Sequence, residues 1–395
     1  MKPPDAIFIL REGIQIRMPS TLMLLSNPYR PDPRVLRESR ELIKAGIKVH
    51  LIAWDRDAGL PERVIEDGIE VIRVGPRAPF RSILKVAANL PRFWLRSMLI
   101  SRKQKFDILH ANDFDTLPLG ICLSRLTGKP LLYDAHDLYA KMIEKDVGGL
   151  SRLVWRAELC MAGKANAIVT TSEPFARELS EGKRKVHIVT NSPDPSVLDG
   201  SDKAAVREKY GLSGFVVSYL GSLEPGRFVE ELCRAFGPGD GVTVAIGGNG
   251  TLRGIPMKAA EDNKAVRFLG TLPTDEALRV TWASDLVVCM LDASNPNYRS
   301  SIPVKILDAM ASSRPVVTTK GLDMAEKVER AGCGFVIPYD PEEFKKTVRK
   351  AKGSPALIDE MGRRGRAYYD RELSWATSRD ELLAVYGALL GPHRT

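Results

Sequence analysis

The chain has 395 residues, of which 44% are hydrophobic and 27% charged, and it carries a net charge of +9 at pH 7. This composition is that of a folded globular protein, and it excludes a disordered, collagen-like or coiled-coil chain. The length suits two domains of similar size. No uncharged apolar run approaches the ~18 residues that a membrane-spanning helix needs.

The cysteines and the N-terminus favour a cytoplasmic protein. Five cysteines stand singly in apolar surroundings, without a Cys-x-x-Cys pair or a histidine at metal-ligand spacing. An odd, unpaired set fits a reducing compartment better than a disulfide scaffold. Residues 1–17 lack the pattern of a signal peptide, and we treat them as a leader without functional weight.

Short apolar runs alternate with helical patterns along the first half of the chain, which predicts a parallel sheet with crossover helices. Asp32 is the expected N-cap of the first helix, Pro33 suits its first turn and Gly46 ends it. The first domain is expected over 18–192, and its strands are predicted at 22–26, 48–55, 69–74, 107–111, 131–135, 167–171 and 186–190.

The alternation starts again after a stretch rich in turn formers. Two prolines and several turn formers predict a linker at 193–201 and a second domain over 202–373. The strands of this domain are predicted at 215–220, 242–246, 266–269, 286–291, 316–319 and 335–337. A last helical stretch at 374–395 has no strand after it. Two open sheets in tandem predict a cleft between them, with ligands at the carboxyl ends of strands.

The positive charge is concentrated in one segment. Residues 71–106 hold nine Lys or Arg and no Asp or Glu, which equals the whole net charge of +9. Two interpretations stay open for the basic, aromatic stretch 77–105: contact with an anionic membrane or lipid-linked partner, or a core-packed helix with a solvated basic face. No nucleic-acid-binding motif appears, so no nucleic-acid partner is expected.

Two glycine turns are candidate ligand sites. A buried strand runs into Gly221 and then Arg227 at a helix start, which suits a phosphate but also any ordinary α/β crossover. Gly248 follows the next strand, but the dinucleotide fingerprint needs a glycine where Arg253 stands, which disfavours a nicotinamide cofactor. Close approach to a ligand and a plain turn both account for Gly248.

A polar loop and helix near 297–311 form a third candidate. Pro303 fits a first helical turn, which leaves the amides near Ser301 and Ile302 free. Lys305 and Asp308 share one helix face. They suit a nucleotide sugar, with phosphate on the lysine and ribose hydroxyls on the carboxylate, and a local ion pair is the alternative.

His110 and His136 end successive predicted strands of the first domain. Histidines at two neighbouring strand ends favour a functional pair over isolated structural residues. His136 would donate to or accept from a hydroxyl in the cleft. No third ligand stands at suitable spacing, so no metal site is expected.

The motifs together resemble those of a known family. They are SNPYRPDPRV at 26–35, YDAHD at 133–137, GSLEPGR at 221–227, GTLP at 270–273 and PVKILDAMA at 303–311. In order and spacing they resemble the family-four retaining glycosyltransferases of the GT-B fold. This resemblance implies an α/β chain of two Rossmann-like domains with parallel sheets facing across a cleft. It also implies a C-terminal helix that crosses back to the first domain.

The resemblance also implies the substrates. A nucleotide-diphospho-sugar donor would bind mainly to the second domain and an acceptor mainly to the first, without a metal ion or another cofactor. Arg227 stands where the family has a basic residue after the glycine turn, and it would hold the diphosphate together with Lys305 and the amides of Ser301 and Ile302. Gly221, Gly248, Asp308, Asn27 and His110 are the remaining expected substrate-binding residues.

The expected mechanism follows from these positions. Arg227 and Lys305 stabilise the charge of the leaving diphosphate, His136 orients the donor sugar, and no side-chain nucleophile is needed. The acceptor would be a glycan or lipid-linked hydroxyl, with 77–105 placing the enzyme on the inner face of the cell membrane.

Two departures from the family pattern keep other functions open. Ser300 replaces the first of the family's paired glutamates, and Ser222 stands where many members carry a basic residue. They favour a non-catalytic, sugar-nucleotide-binding scaffold protein. A nucleotide-sugar epimerase of the same fold is the other alternative, and it would need acid and base carboxylates that the sequence does not identify.

Overall fold

The computed structural model describes residues 17–29, 32–77, 83–137, 139–142, 148–180, 185–299 and 302–391. The chain forms two compact units. Unit 1 comprises Met1–Val189 and Arg379–Thr395, and unit 2 comprises Thr190–Ser378. Each unit has a largely parallel sheet with helices on both sides, which confirms the predicted α/β class and its two Rossmann-like domains.

Unit 1 has eight strands within the described residues. They are β1 (Ser20–Leu25), β2 (Lys48–Trp54), β3 (Arg63–Glu66), β4 (Ile69–Val74), β5 (Ile108–Asn112), β6 (Leu131–Ala135), β7 (Ala167–Thr170) and β8 (His187–Ile188). Their order in the sheet is β3-β4-β2-β1-β5-β6-β7-β8. All neighbours are parallel except β3, which runs antiparallel to β4.

The helices of unit 1 follow the strands as crossovers. They are α1 (Pro33–Lys44), α2 (Ile83–Ser101), α3 (Leu117–Thr127), α4 (Tyr139–Met142), α5 (Ser151–Ala162) and α6 (Glu173–Ser180), with a 3-10 turn at Gly148–Leu150. The prediction for α1 is confirmed at both ends. The carboxylate of Asp32 accepts from the backbone N–H of Val35, and Gly46 has φ 80° just after the helix.

The order of the strands decides which helices share a face of the sheet. α1 joins β1 to β2 in one direction, whereas the later helices join strands that advance in the other direction. Right-handed crossovers therefore place α1 on one face and α2, α3, α5 and α6 on the opposite face. Leu22 and Leu24 point into the core beneath α2 and α3, where Phe93 of α2 stacks on Trp54 at 5.0 Å.

Unit 2 has a six-stranded, fully parallel sheet in the part of the chain that is described. Its strands are β9 (Phe215–Leu220), β10 (Val242–Gly247), β11 (Val266–Phe268), β12 (Leu286–Cys289), β13 (Val316–Thr319) and β14 (Gly334–Ile337). The order is β11-β10-β9-β12-β13-β14. All six were predicted from apolar runs; the bounds of β9 and β13 match the prediction, and the other four strands differ from it only at their ends.

The helices of unit 2 complete the alternation. They are α7 (Lys203–Lys209), α8 (Val229–Cys233), α9 (Gly254–Asp262), α10 (Thr274–Ala283), α11 (Pro296–Arg299), α12 (Val304–Ala311), α13 (Asp323–Ala331), α14 (Pro341–Lys352) and α15 (Pro355–Tyr368). Two 3-10 turns lie at Pro195–Leu198 and Pro238–Asp240.

The last helix in the described part of the chain contributes residues to both units. A π-helical turn, Tyr369–Leu373, leads from α15 into α16 (Trp375–Leu390). From Arg379 onward, α16 is part of unit 1. None of the helices in the described part of the chain combines the length and apolar character that crossing a membrane requires.

Candidate functional site

Glycines bring together the loops at the carboxyl edge of the unit 2 sheet. The N–H of Gly221 donates to the carbonyl of Gly247 at 2.9 Å, and the N–H of Gly248 donates to that of Gly270 at 2.7 Å. Gly248 has φ 144°, and a Cβ on it would lie 1.7 Å from the carbonyl oxygen of Gly221. Close backbone packing between neighbouring loops therefore explains this glycine without a ligand.

Lys305 of α12 reaches under the first of these loops. Its side chain is only 8% exposed, and Nζ lies 4.4 Å from the ring centre of Tyr219. A Cβ on Gly221 would come within 2.7 Å of Nζ, so the glycine leaves room for the amine. No carboxylate among the described residues forms an ion pair with it, and burial lowers the pKa of Lys305. Within the described residues, the buried amine therefore has no ion-pair partner, and the carboxylate whose charge favours its protonated form is that of Asp308 on the same helix.

Arg227 is the second cation at this edge. Its guanidinium lies 5.0 Å from the ring centre of Tyr298, and its Nε has no hydrogen-bond acceptor in the described part of the chain. The next residue, Phe228, has φ 61°, which is rare for a bulky side chain. Phe228 is fully buried against the rings of Tyr339 and Phe344, and its N–H donates to Tyr339 Oη at 3.0 Å. This packing fixes the turn that carries Arg227.

The other predicted residues of this edge are placed as follows. Asp308 lies one turn after Lys305 on α12 and is half-buried, and Ile302 packs on the core beneath α12. Pro303 was predicted in the first turn of α12. The structure places it one position earlier, as the N-cap residue. Ser301, like Ser300, lies outside the described residues.

His136 follows β6 at the corresponding edge of unit 1. Its Nε2 lies 3.1 Å from Asp134 Oδ2, and its Nδ1 lies 3.7 Å from Asp113 Oδ2. Burial opposes its charge, but the two carboxylates outweigh burial and raise the pKa of His136 to about 10. At neutral pH the side chain is an imidazolium, and both of its nitrogens are donors.

Asp134 is held by a buried arginine that sequence reasoning did not identify. Arg34 of α1 donates from Nε to Asp134 Oδ2 at 3.1 Å and from Nη2 to Oδ1 at 2.7 Å. Its Nη1 donates to the carbonyl of Val189 at 2.6 Å. Although burial raises it, the charges of Arg34 and His136 hold the pKa of Asp134 well below its usual range.

Glu38 lies one turn after Arg34 and shares it with Asp134. Glu38 Oε1 is 3.0 Å from Arg34 Nε, and its side chain is fully buried. Burial, together with the nearby charge of Asp134, raises the pKa of Glu38. One guanidinium therefore serves one ionised carboxylate, Asp134, and one carboxyl group that favours its protonated form.

His110 is completely buried and lies next to Asp134 and Glu38, with which it forms a buried cluster. Its Nδ1 is 2.8 Å from Tyr386 Oη of α16, and its Nε2 is 3.6 Å from Asp134 Oδ2 and 3.9 Å from Glu38 Oε2. Because its side chain has no exposed surface, the contacts that the structure shows for His110 are with the protein, and a contact with substrate stays a prediction. Asp134 lies between the two histidines, since its Oδ2 is also 3.1 Å from Nε2 of His136.

The cluster also has the spacing of a metal site, but an arginine lies within it. Glu38, His110 and Asp134 offer ligand atoms that lie within 4.8 Å of one another. The guanidinium of Arg34 already lies within ion-pair distance of both carboxyl groups, at 3.0 Å from Glu38 and 2.7 Å from Asp134. Its charge takes the place that a cation would occupy, so these residues do not fit a metal ion.

Asn27, the remaining predicted residue, organises the loop after β1. Its amide Nδ2 donates to Asp32 Oδ2 at 2.8 Å, and its Oδ1 accepts from the N–H of Tyr29 at 2.8 Å. Both ends of the side chain are therefore committed to the turn that leads into α1. A contact with substrate stays a prediction.

Sequence reasoning missed the partners of the histidines, although two signals were present. Arg34 and Glu38 lie on the buried stripe of α1 with Val35 and Leu42, where charged side chains need partners. Tyr386 gave no such signal, because its role depends on a contact with His110 that spans 276 residues.

Comparison with known proteins agrees with this architecture. Residues 34–197 match the family model described as Glycosyltransferase Family 4, and residues 214–352 match the one described as Glycosyl transferases group 1. A D-inositol 3-phosphate glycosyltransferase of Mycolicibacterium gilvum is 25% identical over 91% of this chain and 85% of its own. One from Salinispora tropica is 24% identical over 91% of this chain and 81% of its own.

Solved structures share the fold. Sucrose-phosphate synthase from Thermosynechococcus elongatus superposes with a TM-score of 0.73 at 17% identity, covering 93% of this chain and 98% of that one. HepE from Anabaena, in complex with UDP-glucose, gives a TM-score of 0.68 at 17% identity, covering 93% and 99%. Together with the family matches, they confirm the resemblance: the chain belongs to the family-four, group 1 glycosyltransferases of the GT-B fold.

Proposed function

We propose that this glycosyltransferase moves a sugar from a nucleotide-diphospho-sugar to a hydroxyl of a glycan or lipid-linked acceptor, with retention of anomeric configuration and without a metal ion or other cofactor. The observation that carries the proposal is the buried amine of Lys305, which lies beneath Gly221 and forms no ion pair with a carboxylate in the part of the chain that the structure describes. A buried ammonium is costly unless an anion binds it. The diphosphate of the donor is that anion.

Lys305 and Arg227 also compensate for the basic residue that is missing at Ser222. Ser222 provides no charge where many members have a basic residue. Lys305 reaches the same loop from α12, and Arg227 approaches from the turn before α8. The loop therefore keeps two cations, which opposes the non-catalytic alternative that Ser222 and Ser300 favour. HepE, solved with UDP and with UDP-glucose, has the same fold and is a precedent for this class of donor.

The chemistry follows from where charge develops. The bond between the anomeric carbon and the phosphate oxygen breaks, and the acceptor oxygen forms a bond to that carbon on the face that the phosphate leaves. The acceptor proton passes to the departing phosphate. Lys305, Arg227 and the first amides of α12 stabilise the negative charge that grows on the diphosphate. Asp308, on the same helix, binds the ribose hydroxyls.

The proposed role of His136 is to hold the donor sugar. As an imidazolium kept in place by Asp134 and Asp113, it donates a hydrogen bond to a sugar hydroxyl or ring oxygen. The segment 77–105 is proposed to contact an anionic membrane from the cytoplasmic side, where a lipid-linked acceptor would be found.

A thermal-shift screen tests the donor site. UDP, GDP, ADP and their sugars are added to the wild type, to Lys305→Met and to Arg227→Met, with the exposed Lys258→Met as the matched control. A ligand that binds the folded state raises the melting temperature. We expect one diphosphate series to stabilise the wild type and the control but neither site variant. Stabilisation of Lys305→Met equal to that of the wild type would refute the site.

Product analysis with the donor so identified tests the reaction. Incubation with a glycan acceptor in the presence of a chelator should release nucleoside diphosphate and give a product with the anomeric configuration of the donor. A changed sugar without transfer indicates the epimerase alternative. Binding without any turnover indicates the non-catalytic alternative.

A further inference from the structure

Three neighbouring helices of unit 1 share an outer face without exposed negative charge. α3 packs between α2 and α5 on one side of the sheet. The three helices contain a single acidic residue, Glu158. Its side chain is fully buried and accepts a hydrogen bond from Tyr133 Oη at 2.8 Å. No carboxylate of these helices therefore reaches the surface.

Large apolar side chains project from all three helices. Leu95 and Leu99, one turn apart on α2, are 58% and 52% exposed. Leu126 near the end of α3 is 64% exposed, and Leu153 in the first turn of α5 is 58% exposed. Single exposed leucines are common on soluble proteins, but a series across adjacent helices marks an interaction surface.

Basic side chains lie among these leucines. None of them forms an ion pair with a carboxylate among the residues that the structure describes. Those exposed on the helices themselves are Arg92, Arg96, Arg125, Arg152 and Arg156, and those exposed in the turns that follow α2 and α5 are Arg102, Lys103, Lys105 and Lys164. The face thus presents apolar anchors surrounded by fixed positive charge.

We propose that α2, α3 and α5 form one docking face for the surface of an anionic lipid bilayer. Their leucines enter the interfacial region, and their arginines bind the lipid phosphates. The proposal rests on the membrane contact of the proposed function and extends it from the segment 77–105 to two further helices. It adds Leu126, Leu153, Arg125, Arg152 and Arg156 to the contact.

The charge and the apolar side chains of this face together favour a bilayer as its partner over a second copy of the chain or a nucleic acid. A second copy of the chain would bring two positive faces together, which is unfavourable. A nucleic acid would bind the arginines but leave the leucines in water, since its backbone contacts are electrostatic. An anionic bilayer satisfies both kinds of side chain, because its phosphates lie directly above its hydrocarbon.

Vesicle sedimentation tests the two added helices separately from α2. The probe is vesicles of phosphatidylcholine with about one-third phosphatidylglycerol, compared with phosphatidylcholine alone. The triple variant R125E/R152E/R156E changes only α3 and α5. We expect its partition onto the anionic vesicles to fall by about a hundredfold or more, because each basic residue contributes separately to binding near the surface. The control K258E/K264E/K350E makes the same charge change on unit 2 and should bind like the wild type.

A second pair of variants tests the leucines. Leu126→Gln and Leu153→Gln should lower binding even at high salt, where charge interactions are screened. Wild-type binding by the triple variant, or equal binding to both kinds of vesicle, would overturn the proposal. The proposal would also be overturned if the leucine variants bound vesicles like the wild type and the wild type bound duplex DNA as tightly as it binds vesicles. The nucleotide-induced thermal shift is measured on each variant, so that loss of membrane binding is distinguished from failure of the donor site.

Discussion

The hydroxyl of Tyr386 in α16 lies 2.8 Å from Nδ1 of His110 in β5. The same hydroxyl lies 3.2 Å from Thr21 Oγ1 in β1. When the tyrosine donates to Nδ1, the hydrogen of the neutral imidazole is on Nε2 and points toward Asp134. One side chain of the last helix therefore sets the orientation of the ring behind the carboxylate that holds His136.

We expect Tyr386→Phe to lower the free energy of unfolding by about 1–2 kcal/mol, because the buried Nδ1 of His110 loses its partner. Urea denaturation measures the change. Tyr210→Phe is the matched control, since Tyr210 Oη bonds Glu276 at a site open to solvent and its loss should cost less. Equal denaturation midpoints for Tyr386→Phe and the wild type would show that the contact does not stabilise the fold.

Two residues of α1 that contact each other, Arg34 and Glu38, should lose very different amounts of stability when they are replaced. Arg34→Met removes the guanidinium from the buried charge of Asp134, which keeps His136, and should cost about 3–5 kcal/mol. Glu38→Gln should cost less than about 1 kcal/mol, because burial raises the pKa of Glu38 and so favours its neutral form, which an amide replaces closely. Equal losses for the two variants, measured by denaturation, would mean that Glu38 is ionised.

His136 makes stability depend on pH in a defined direction. Its pKa is about 10 in the folded protein and about 6.5 when unfolded, so its contribution is complete below pH 6.5 and is lost as pH rises through 10. Asp113, whose burial raises its pKa to about 7, titrates below this range. Between pH 8 and 10 the wild type should therefore lose stability faster than His136→Gln. Parallel curves for the two proteins would contradict the assignment.

Replacing Lys305 by methionine should stabilise the ligand-free protein and abolish binding of the nucleoside diphosphate. Without a ligand, the buried ammonium destabilises the fold, so Lys305→Met should raise the melting temperature by roughly 2–4 °C, equivalent to about 1 kcal/mol. The same variant should show no shift with the diphosphate that stabilises the wild type. Differential scanning fluorimetry records both values. A lower melting temperature for the ligand-free variant would indicate that the amine has a stabilising partner.

Sequence patterns located the elements of both sheets with one exception. Continuous apolar runs correspond to the buried parallel strands, such as β1, whose six residues are all buried. The strand β3 was missed because its four residues alternate between exposed and half-buried positions and two of them are charged. Its antiparallel pairing with β4 at the edge of the sheet leaves only a weak apolar signal.

The two parts of the candidate site differ in how far sequence could predict them. Arg227 and Lys305 were identified because each follows a strand or starts a helix, which are local features. The contacts of Lys305 with the Gly221 loop and of Arg34 with Asp134 join residues far apart in the chain, the second pair 100 positions apart. Such contacts follow from the order of strands in the sheet rather than from spacing along the sequence.

The division of unit 1 between two stretches of chain affects how the protein is made. Tyr386 is synthesised after every residue of unit 2, whereas Thr21 and His110 leave the ribosome long before it. Domains generally fold in the order of their synthesis. The pocket around His110 therefore stays incomplete during translation, and a chain that stops at Ser378 has all of unit 2 but lacks the last segment of unit 1.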